Sequence, residues 1–334
     1  MREPTASARR IARATRAIAF LGSLCLARFA SRRASCIKTG KPATATTVNM
    51  IKEAMQGKVV VITGATSGIG QVAAERLAAM GARVVLIARS EVRGQAVLSR
   101  LHERAPGVAH RVHYADLSRL TEMKRAAAEI AVAERRVDVL INNAGALFGS
   151  RQVTADGLER TFATNHMAYA VLTHGLRERL IASAPARVVN TASNAHRFAR
   201  LDFDDLQSAQ GYRGFKAYRR SKLCNILYTR ELARRWAGTG VTVNCLHPGF
   251  AATRFADQSS GLFSRIVRIA KTFAAISPEK GAETIVYLAS SPEVAHVSGR
   301  YFYRCRAVPP SKTAQDDAAA ERLWLESARL GHIN

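Results

Sequence analysis

Two places in the chain put a phenol four residues ahead of an amine, Tyr212 with Lys216 and Tyr218 with Lys222. On a helix that spacing sets both side chains on one face, a turn apart. An ammonium so placed lowers a tyrosine's pKa from about 10 toward the working pH and lets the phenol act as general acid or base. The two pairs are not equivalent. Tyr212 lies between Gly211 and Gly214, residues that weaken a helix and argue for a loop. Tyr218 opens a periodic stretch in which Leu223, Ile226, Leu227 and Leu232 can face a core, so only the second pair is expected to be held in register. A substrate oxygen that gains negative charge beside such a phenol calls for a second donor from a neighbouring strand end. Ser193, closing the run from Val188, suits that place.

The elements that would carry these residues alternate. Strand-like runs are expected at 59–63, 83–88, 111–114, 137–142, 187–191 and 241–246. Between them fall helical patterns at about 69–80, 91–104, 119–135, 155–181 and 217–236. This alternation predicts an α/β fold, a single doubly wound parallel sheet of Rossmann type with about seven strands and helices on both faces. No repeat or Gly/Ser linker interrupts it, so 51–334 reads as one domain.

The first strand runs into Gly64-Ala65-Thr66-Ser67-Gly68-Ile69-Gly70 and then a helix, the context a dinucleotide fingerprint requires. Glycine lets such a turn fold tightly and the backbone approach a pyrophosphate, while the helix start offers free N–H groups to the anion. The second strand ends at Arg89, where an NAD-selective site would place an acid. A guanidinium there suits a ribose 2′-phosphate, so NADP(H) is favoured over NAD(H).

In the form Thr63-Gly64-x3-Gly68-Ile69-Gly70, with Tyr218-Arg219-Arg220-Ser221-Lys222 downstream, the chain resembles the short-chain dehydrogenase/reductase family over about Gln56 to Leu330. The resemblance implies roles for further residues. Asp116 and Leu117 would belong to the adenine pocket. Asn143, Ala144 and Gly145, after Asn142, would lie near the cofactor's ribose. Asn165 would hold a water near the lysine, and Lys222 would also hydrogen-bond the ribose hydroxyls. Pro248, Gly249 and Thr253 would clasp the nicotinamide amide. Ala168 departs from the pattern, since relatives often carry glycine there; this bears on helix packing more than on chemistry. The 24 residues between Ser193 and Tyr218, with Ser298 to Phe302 and Ala320 to Trp324, resemble the retinol dehydrogenase and protochlorophyllide reductase-like branch. The implied function is NADP(H)-dependent interconversion of a carbonyl and an alcohol by hydride transfer. The alternative is a non-catalytic NADP(H)-binding sensor or scaffold of the same fold. A segment at about 250–277, with Phe250, Phe255, Phe263 and Phe273 among basic residues, reads either as a lid over a pocket for a lipophilic, retinal-like or long-chain substrate, or as an ordinary helix on the core.

Composition bounds the rest. A 334-residue chain that is 48% hydrophobic supports a substantial core and excludes disorder. Lysine and arginine number 50 against 25 acids, a formal charge of +25. Residues 1–50 hold ten bases and one acid, Glu3, for +9, leaving +16 on the remaining 284. This basic extension reads as a targeting-like segment or an upstream stretch before a start at Met50 or Met55. No interleaved aromatics support nucleic-acid stacking, so nucleic acid is not expected as a partner; peripheral membrane contact and a homo-oligomer stay open. Five cysteines without a CxxC pair signal neither a disulfide framework nor zinc, and no metal site is expected. A reducing compartment follows: the cytoplasm is favoured, or mitochondria or another organelle if the extension is a real transit peptide.

Overall fold

Val59–Thr63 forms β1, buried along its whole length because helices cover both faces of the sheet it centres. The computed structural model describes Ala54 to Gly249 and Ser277 to Ile333. The basic extension, Thr253 and all of the expected lid except Ser277 lie outside the described residues. Contacts divide the chain into Met1–Thr47 and Val48–Asn334, and everything described falls in the second unit.

The sheet adds β2 (Arg83–Ala88), β3 (Arg111–Tyr114), β4 (Val139–Asn142), β5 (Ala186–Thr191), β6 (Val241–Leu246), β7 (Tyr301–Tyr303) and β8 (Arg306–Ala307) in the order β3-β2-β1-β4-β5-β6-β7-β8. The first seven are parallel, and β8 returns antiparallel on β7. Among the described residues the sheet has eight strands, in keeping with the expectation of about seven. The turn into β8 is made by Arg304 and Cys305 at φ of 50° and 59°, in the left-handed region that favours glycine, so no glycine marked this hairpin in the sequence.

Side chains alternate across β1. Val59 and Val61 face one core with Met123, Ile130, Tyr169, Leu172 and Leu227. Val60 and Ile62 face the other with Leu77, Leu101, Ile285 and Leu288. The first core is covered by α3 (Leu120–Ala133), α4 (Ala168–Gly175), α5 (Arg177–Ala182), α6 (Gly214–Arg235) and α8 (Asp317–Gly331). The second is covered by α1 (Gly68–Ala79), α2 (Glu91–Arg104) and α7 (Pro278–Ser290).

Two expected helices differ from the observed ones. The long helix over about 155–181 is replaced by one turn, Arg160–Phe162, a π-helical turn, Ala163–Met167, and then α4 and α5. It starts late because Gly157 turns the chain at φ 76° and the Glu159 carboxylate accepts from the backbone N–H of Thr161 and Phe162 at 2.7 and 2.8 Å. α6 starts at Gly214, earlier than about 217; a Cβ there would strike the Phe148 carbonyl, so the glycine that read as a helix breaker admits a crossing backbone.

The strand expected from Val137 begins instead at Val139, and Asp138 explains why. Its carboxylate, 2% exposed with the rest of the residue, accepts from the Val59 N–H at 2.9 Å, from Lys58 Nζ at 2.9 Å and from Arg136. Asp138 thus anchors the start of β1 from the neighbouring strand, and these donors hold its carboxyl below its ordinary pKa although burial opposes them. Asp138→Ala should lower unfolding stability by about 3 kcal/mol, since it leaves a buried N–H and two cations without their acceptor. Urea denaturation of the variant at pH 7 measures this.

Candidate active site

The chains leaving β1 and β4 diverge where the strand order reverses, which opens a crevice at the carboxyl end of the sheet. Thr63 Oγ1 accepts there from the backbone N–H groups of Asn143 and Ala144, at 2.9 Å each. The Asn143 amide donates to the carbonyls of Thr63 and Gly64 at 3.3 and 3.1 Å. A Cβ on Gly64, at φ 66°, would sit 2.7 Å from Ala144 Cα, and one on Gly70 would run into the Gly64 carbonyl. Both positions are glycine because backbones meet. Ser67 makes no side-chain cap bond to α1, and the first turn carries no acid, so the leading N–H groups of the helix have neither a capping side chain nor a competing carboxylate. Thr66, Ser67 and Gly68 are half-buried and Ile69 is buried beneath them. This arrangement fits the pyrophosphate of a dinucleotide.

Arg89 follows β2 as an exposed side chain. Ala115 N–H donates to the Ala88 carbonyl at 2.9 Å, which brings Asp116 and the buried Leu117 alongside that strand end. Asp116 Oδ1 accepts from the Ser118 N–H and hydroxyl at 3.0 and 2.8 Å. Beyond β6, Gly249 at φ 89° donates its N–H to His247 Nδ1 at 3.2 Å, and the His247 ring stacks on Tyr303 with centroids 4.1 Å apart. Pro248 and Gly249 are half-buried at this edge; Thr253, expected beside them, lies outside the described residues.

Ser193, Tyr218 and Lys222 come together on the floor of the crevice. Ser193 caps the short helical turn Asn194–Phe198 and hydrogen-bonds the Tyr218 phenol. Tyr218 and Lys222 share one face of α6, with Lys222 Nζ 5.9 Å from the phenol ring centroid. The ammonium is 3% exposed and donates to the Thr191 carbonyl at 2.9 Å. That carbonyl also accepts from Asn225 Nδ2 at 3.2 Å and the Tyr169 hydroxyl at 3.4 Å. Among the described residues Lys222 has no carboxylate partner. Burial accordingly pulls it from 10.5 down to about 7. Burial also pushes Tyr218 up to about 12, against the downward pull of Ser193. The expected lowering of the phenol by its lysine is not seen: desolvation dominates, only Ser193 pulls the other way, and the phenol is a neutral donor at pH 7.

Asn165 reaches the site through the π-helical turn, an irregularity that recurs at functional sites. Its Nδ2 donates to the Ala146 carbonyl and to Ser221 Oγ, both at 2.9 Å, and its Oδ1 accepts from the Ala146 N–H at 2.7 Å. Ser221 Oγ passes the link to the Tyr218 carbonyl at 2.8 Å. Both amide hydrogens are therefore committed to protein. A Cβ on Gly145 would lie 3.3 Å from Lys222 Nζ and 3.5 Å from Asn165 Oδ1, so Gly145 leaves room between them. Ala168, fully buried, begins α4 directly after this turn. The rival pair is split: Tyr212 precedes α6 and bonds the Phe148 carbonyl at 3.1 Å, while Lys216 is exposed on the helix.

Sequence reasoning assigned no role to three participants, although Thr63 stands in the glycine motif. Tyr169 donates to the Ala144 carbonyl at 2.8 Å and lies under Lys222, 5.6 Å from Nζ to ring centroid. Thr63 and the Thr191 carbonyl are the others. Only the helical spacing from Asn165 to Tyr169 could have pointed to the first; the remaining two act through contacts 80 and 31 residues away in sequence.

Comparison with known proteins places the chain. The short chain dehydrogenase family model matches residues 58–261. Retinol dehydrogenase 13 of Homo sapiens is 40% identical over 286 residues, covering 84% of this chain and 86% of its own length. Retinol dehydrogenase 12 of Homo sapiens is 40% identical over 277 residues, covering 83% and 87%. Among solved structures, an uncharacterized protein from Mycobacterium Paratuberculosis superposes with a TM-score of 0.67 at 31% identity, over 84% of this chain and 95% of that one. The Pseudomonas aeruginosa RhlG/NADP active-site complex superposes with a TM-score of 0.60 at 26% identity, over 75% and 96%.

The buried ammonium has a consequence for stability. Lys222 titrates near 7 when folded and near 10.5 when unfolded. The unfolded chain therefore binds more protons between those values, and stability rises with pH across that window; below it the penalty is complete. Lys222→Met removes this slope. Relative to wild type it should be more stable by about 2–4 kcal/mol at pH 6.5, with the gain shrinking toward pH 10. Denaturation midpoints of both proteins from pH 6.5 to 9.5 check this, and parallel curves would refute it.

Proposed function

The chain belongs to the short chain dehydrogenase family, in its retinol dehydrogenase-like branch, and is an NAD(P)-dependent oxidoreductase acting on CH–OH donors; from that premise we propose that it interconverts a lipophilic carbonyl compound and its alcohol with NADP(H) as preferred cofactor. The observation that carries the reading is a buried, neutral phenol, hydrogen-bonded by Ser193 and one helical turn from a buried amine, beneath a turn whose glycines and open N–H groups fit a dinucleotide.

A bound nicotinamide supplies or accepts the hydride. The chain's own residues handle the proton and the geometry. Tyr218 Oη donates its proton to the carbonyl oxygen during reduction and takes it back during oxidation. Ser193 Oγ donates to the same oxygen and orients it. Lys222, on the Thr191 carbonyl, lies close enough to stabilise charge that develops on the phenol oxygen, and its remaining N–H groups suit ribose hydroxyls. Asn165 acts as a positioning residue through Ala146 and Ser221, in addition to any water it holds beside the lysine. Asn143, Ala144 and Gly145 line the ribose side, Asp116 and Leu117 the adenine side, and Pro248 and Gly249 the nicotinamide side.

Three features support the finer points. Arg89 ends β2 exposed, with no acid at that position to meet a ribose 2′-hydroxyl. Phe215 stacks on Tyr218 with centroids 6.3 Å apart, giving the crevice an apolar rim. Cys224, Cys245 and Cys305 are free thiols, in keeping with a reducing compartment, for which we favour the cytoplasm. No helix among the described residues is long and apolar enough to cross a membrane.

Tyr218→Phe should cut NADPH-dependent carbonyl reduction by about 10²–10⁴-fold while NADPH still binds with near wild-type affinity; activity retained by the variant would remove the phenol from the mechanism. Arg89→Ala should weaken NADPH about tenfold and leave NADH within twofold, as expected for one charge-assisted contact to the 2′-phosphate. Fluorescence titration separates the two cofactors. Turnover of retinal and long-chain aldehydes should exceed that of short polar carbonyls, and the opposite order would rule out the lipophilic assignment.

A further inference from the structure

A second cationic feature lies on the outer side of the same elements. A cleft of about 800 Å³ opens between the helical turn after Ser193, the exposed face at the start of α6 and the loop 311–313. Arg197, Arg200, Lys216, Arg219, Arg220 and Lys312 line it, against a single carboxylate, Asp202. Asp202 is half-exposed and pairs with Arg220 at 3.8 Å, which leaves the other five cations without a carboxylate in the cleft.

The cations are not equally committed. Arg197 donates to Asn194 Oδ1 and to the Pro309 carbonyl, both at 2.9 Å, and Arg220 donates to the Asp205 carbonyl at 3.1 Å. Arg219 has no carboxylate partner among the described residues, and its Nε is buried without a hydrogen-bond acceptor. The rings of Phe198 and Phe215 hold its guanidinium instead, at 5.3 and 5.9 Å from their centroids. Aromatic faces fix a guanidinium plane without consuming its N–H groups, so Arg219 is oriented and still able to donate. None of the six cations takes part in the proposed reduction, and crowding six like charges around one cleft raises the energy of the protein. An entering anion relieves that repulsion.

We propose that this cleft binds a small polyanion, a ligand bearing two or more phosphate or carboxylate groups, at a site separate from the cofactor crevice. The charges come from three separate segments that line one open cleft, which suits a small molecule carrying several anionic groups; a membrane surface is the competing occupant that the test below separates. Binding should weaken steeply with salt, because the groups are close to solvent.

The test is calorimetric titration of the full chain with sodium tripolyphosphate at low ionic strength, with and without saturating NADPH. The expected result is saturable binding that NADPH does not displace. Its tightest site should weaken about tenfold in Arg200→Glu/Lys312→Glu, two exposed residues outside the catalytic crevice, and less than twofold in Arg135→Glu/Arg306→Glu, which changes the net charge equally elsewhere. Carbonyl reduction and thermal unfolding of both double variants report whether they are folded. Displacement by NADPH would assign the anion to the phosphate turn of α1 and overturn the proposal. Equal loss in the two double variants would reduce the effect to the overall field of the chain and overturn it as well. Binding of phosphatidylglycerol vesicles that depends on Arg200 and Lys312, without uptake of tripolyphosphate, would do the same, and so would a complete lack of tripolyphosphate binding.

Discussion

An ammonium buried without a counter-carboxylate among the described residues must be held by neutral dipoles, and in this protein the Thr191 carbonyl is the dipole that holds it. Lys222, Asn225 and Tyr169 all converge on that oxygen at the end of β5. Tyr169 reaches on to the Ala144 carbonyl, and Thr191 Oγ1 meets Asn143 Oδ1 at 3.3 Å. The strand end that positions Ser193 is therefore tied to the helix that carries the phenol and to the loop that closes on the phosphate turn. Moving any one of these shifts the others, because interior hydrogen bonds of this kind leave no solvent to replace a lost partner.

The helix is fixed to the sheet by a second device. Asn142 Nδ2 donates to Asn190 Oδ1 at 2.9 Å, and Asn190 Nδ2 donates to Thr229 Oγ1 at 3.0 Å. Side-chain amides thus run from β4 through β5 into α6, inside an otherwise apolar core. The Tyr228 ring stacks on Trp324 of α8 at 5.4 Å, which presses α6 inward from the opposite side. A long helix seated this way can present Tyr218 and Lys222 with little freedom, and orientation of that kind is worth more to a proton transfer than the intrinsic acidity of either group.

Much of the architecture was legible because buried parallel strands read as short apolar runs. β1, β2, β3 and β6 appear with the expected bounds. The helix through Asn165 was not legible. A π-helical turn differs from an α-helix by one residue per turn, and no residue type announces it. Nor was β8, whose turn uses Arg304 and Cys305 where a glycine would have been the signal. Gly214 misled for a related reason: a glycine can mark a weak helix or a crowded one, and only the position of the Phe148 carbonyl distinguishes them.

Residue identities and their order along the chain determined the chemistry available: a glycine turn for a diphosphate, an arginine where an acid would select NAD, and a phenol and an amine at helical spacing. Local periodicity also selected Tyr218 over Tyr212. Tertiary structure alone decided how far the two groups shift from their ordinary pKa values. It lowered Lys222 to about 7 and raised Tyr218 to about 12, because desolvation depends on what surrounds a group and not on its neighbours in sequence. It also committed the Asn165 amide to Ala146 and Ser221, and gathered six cations from three separate segments into one cleft. Partners dozens of residues apart meet only once the sheet has formed, so no local pattern could carry that information.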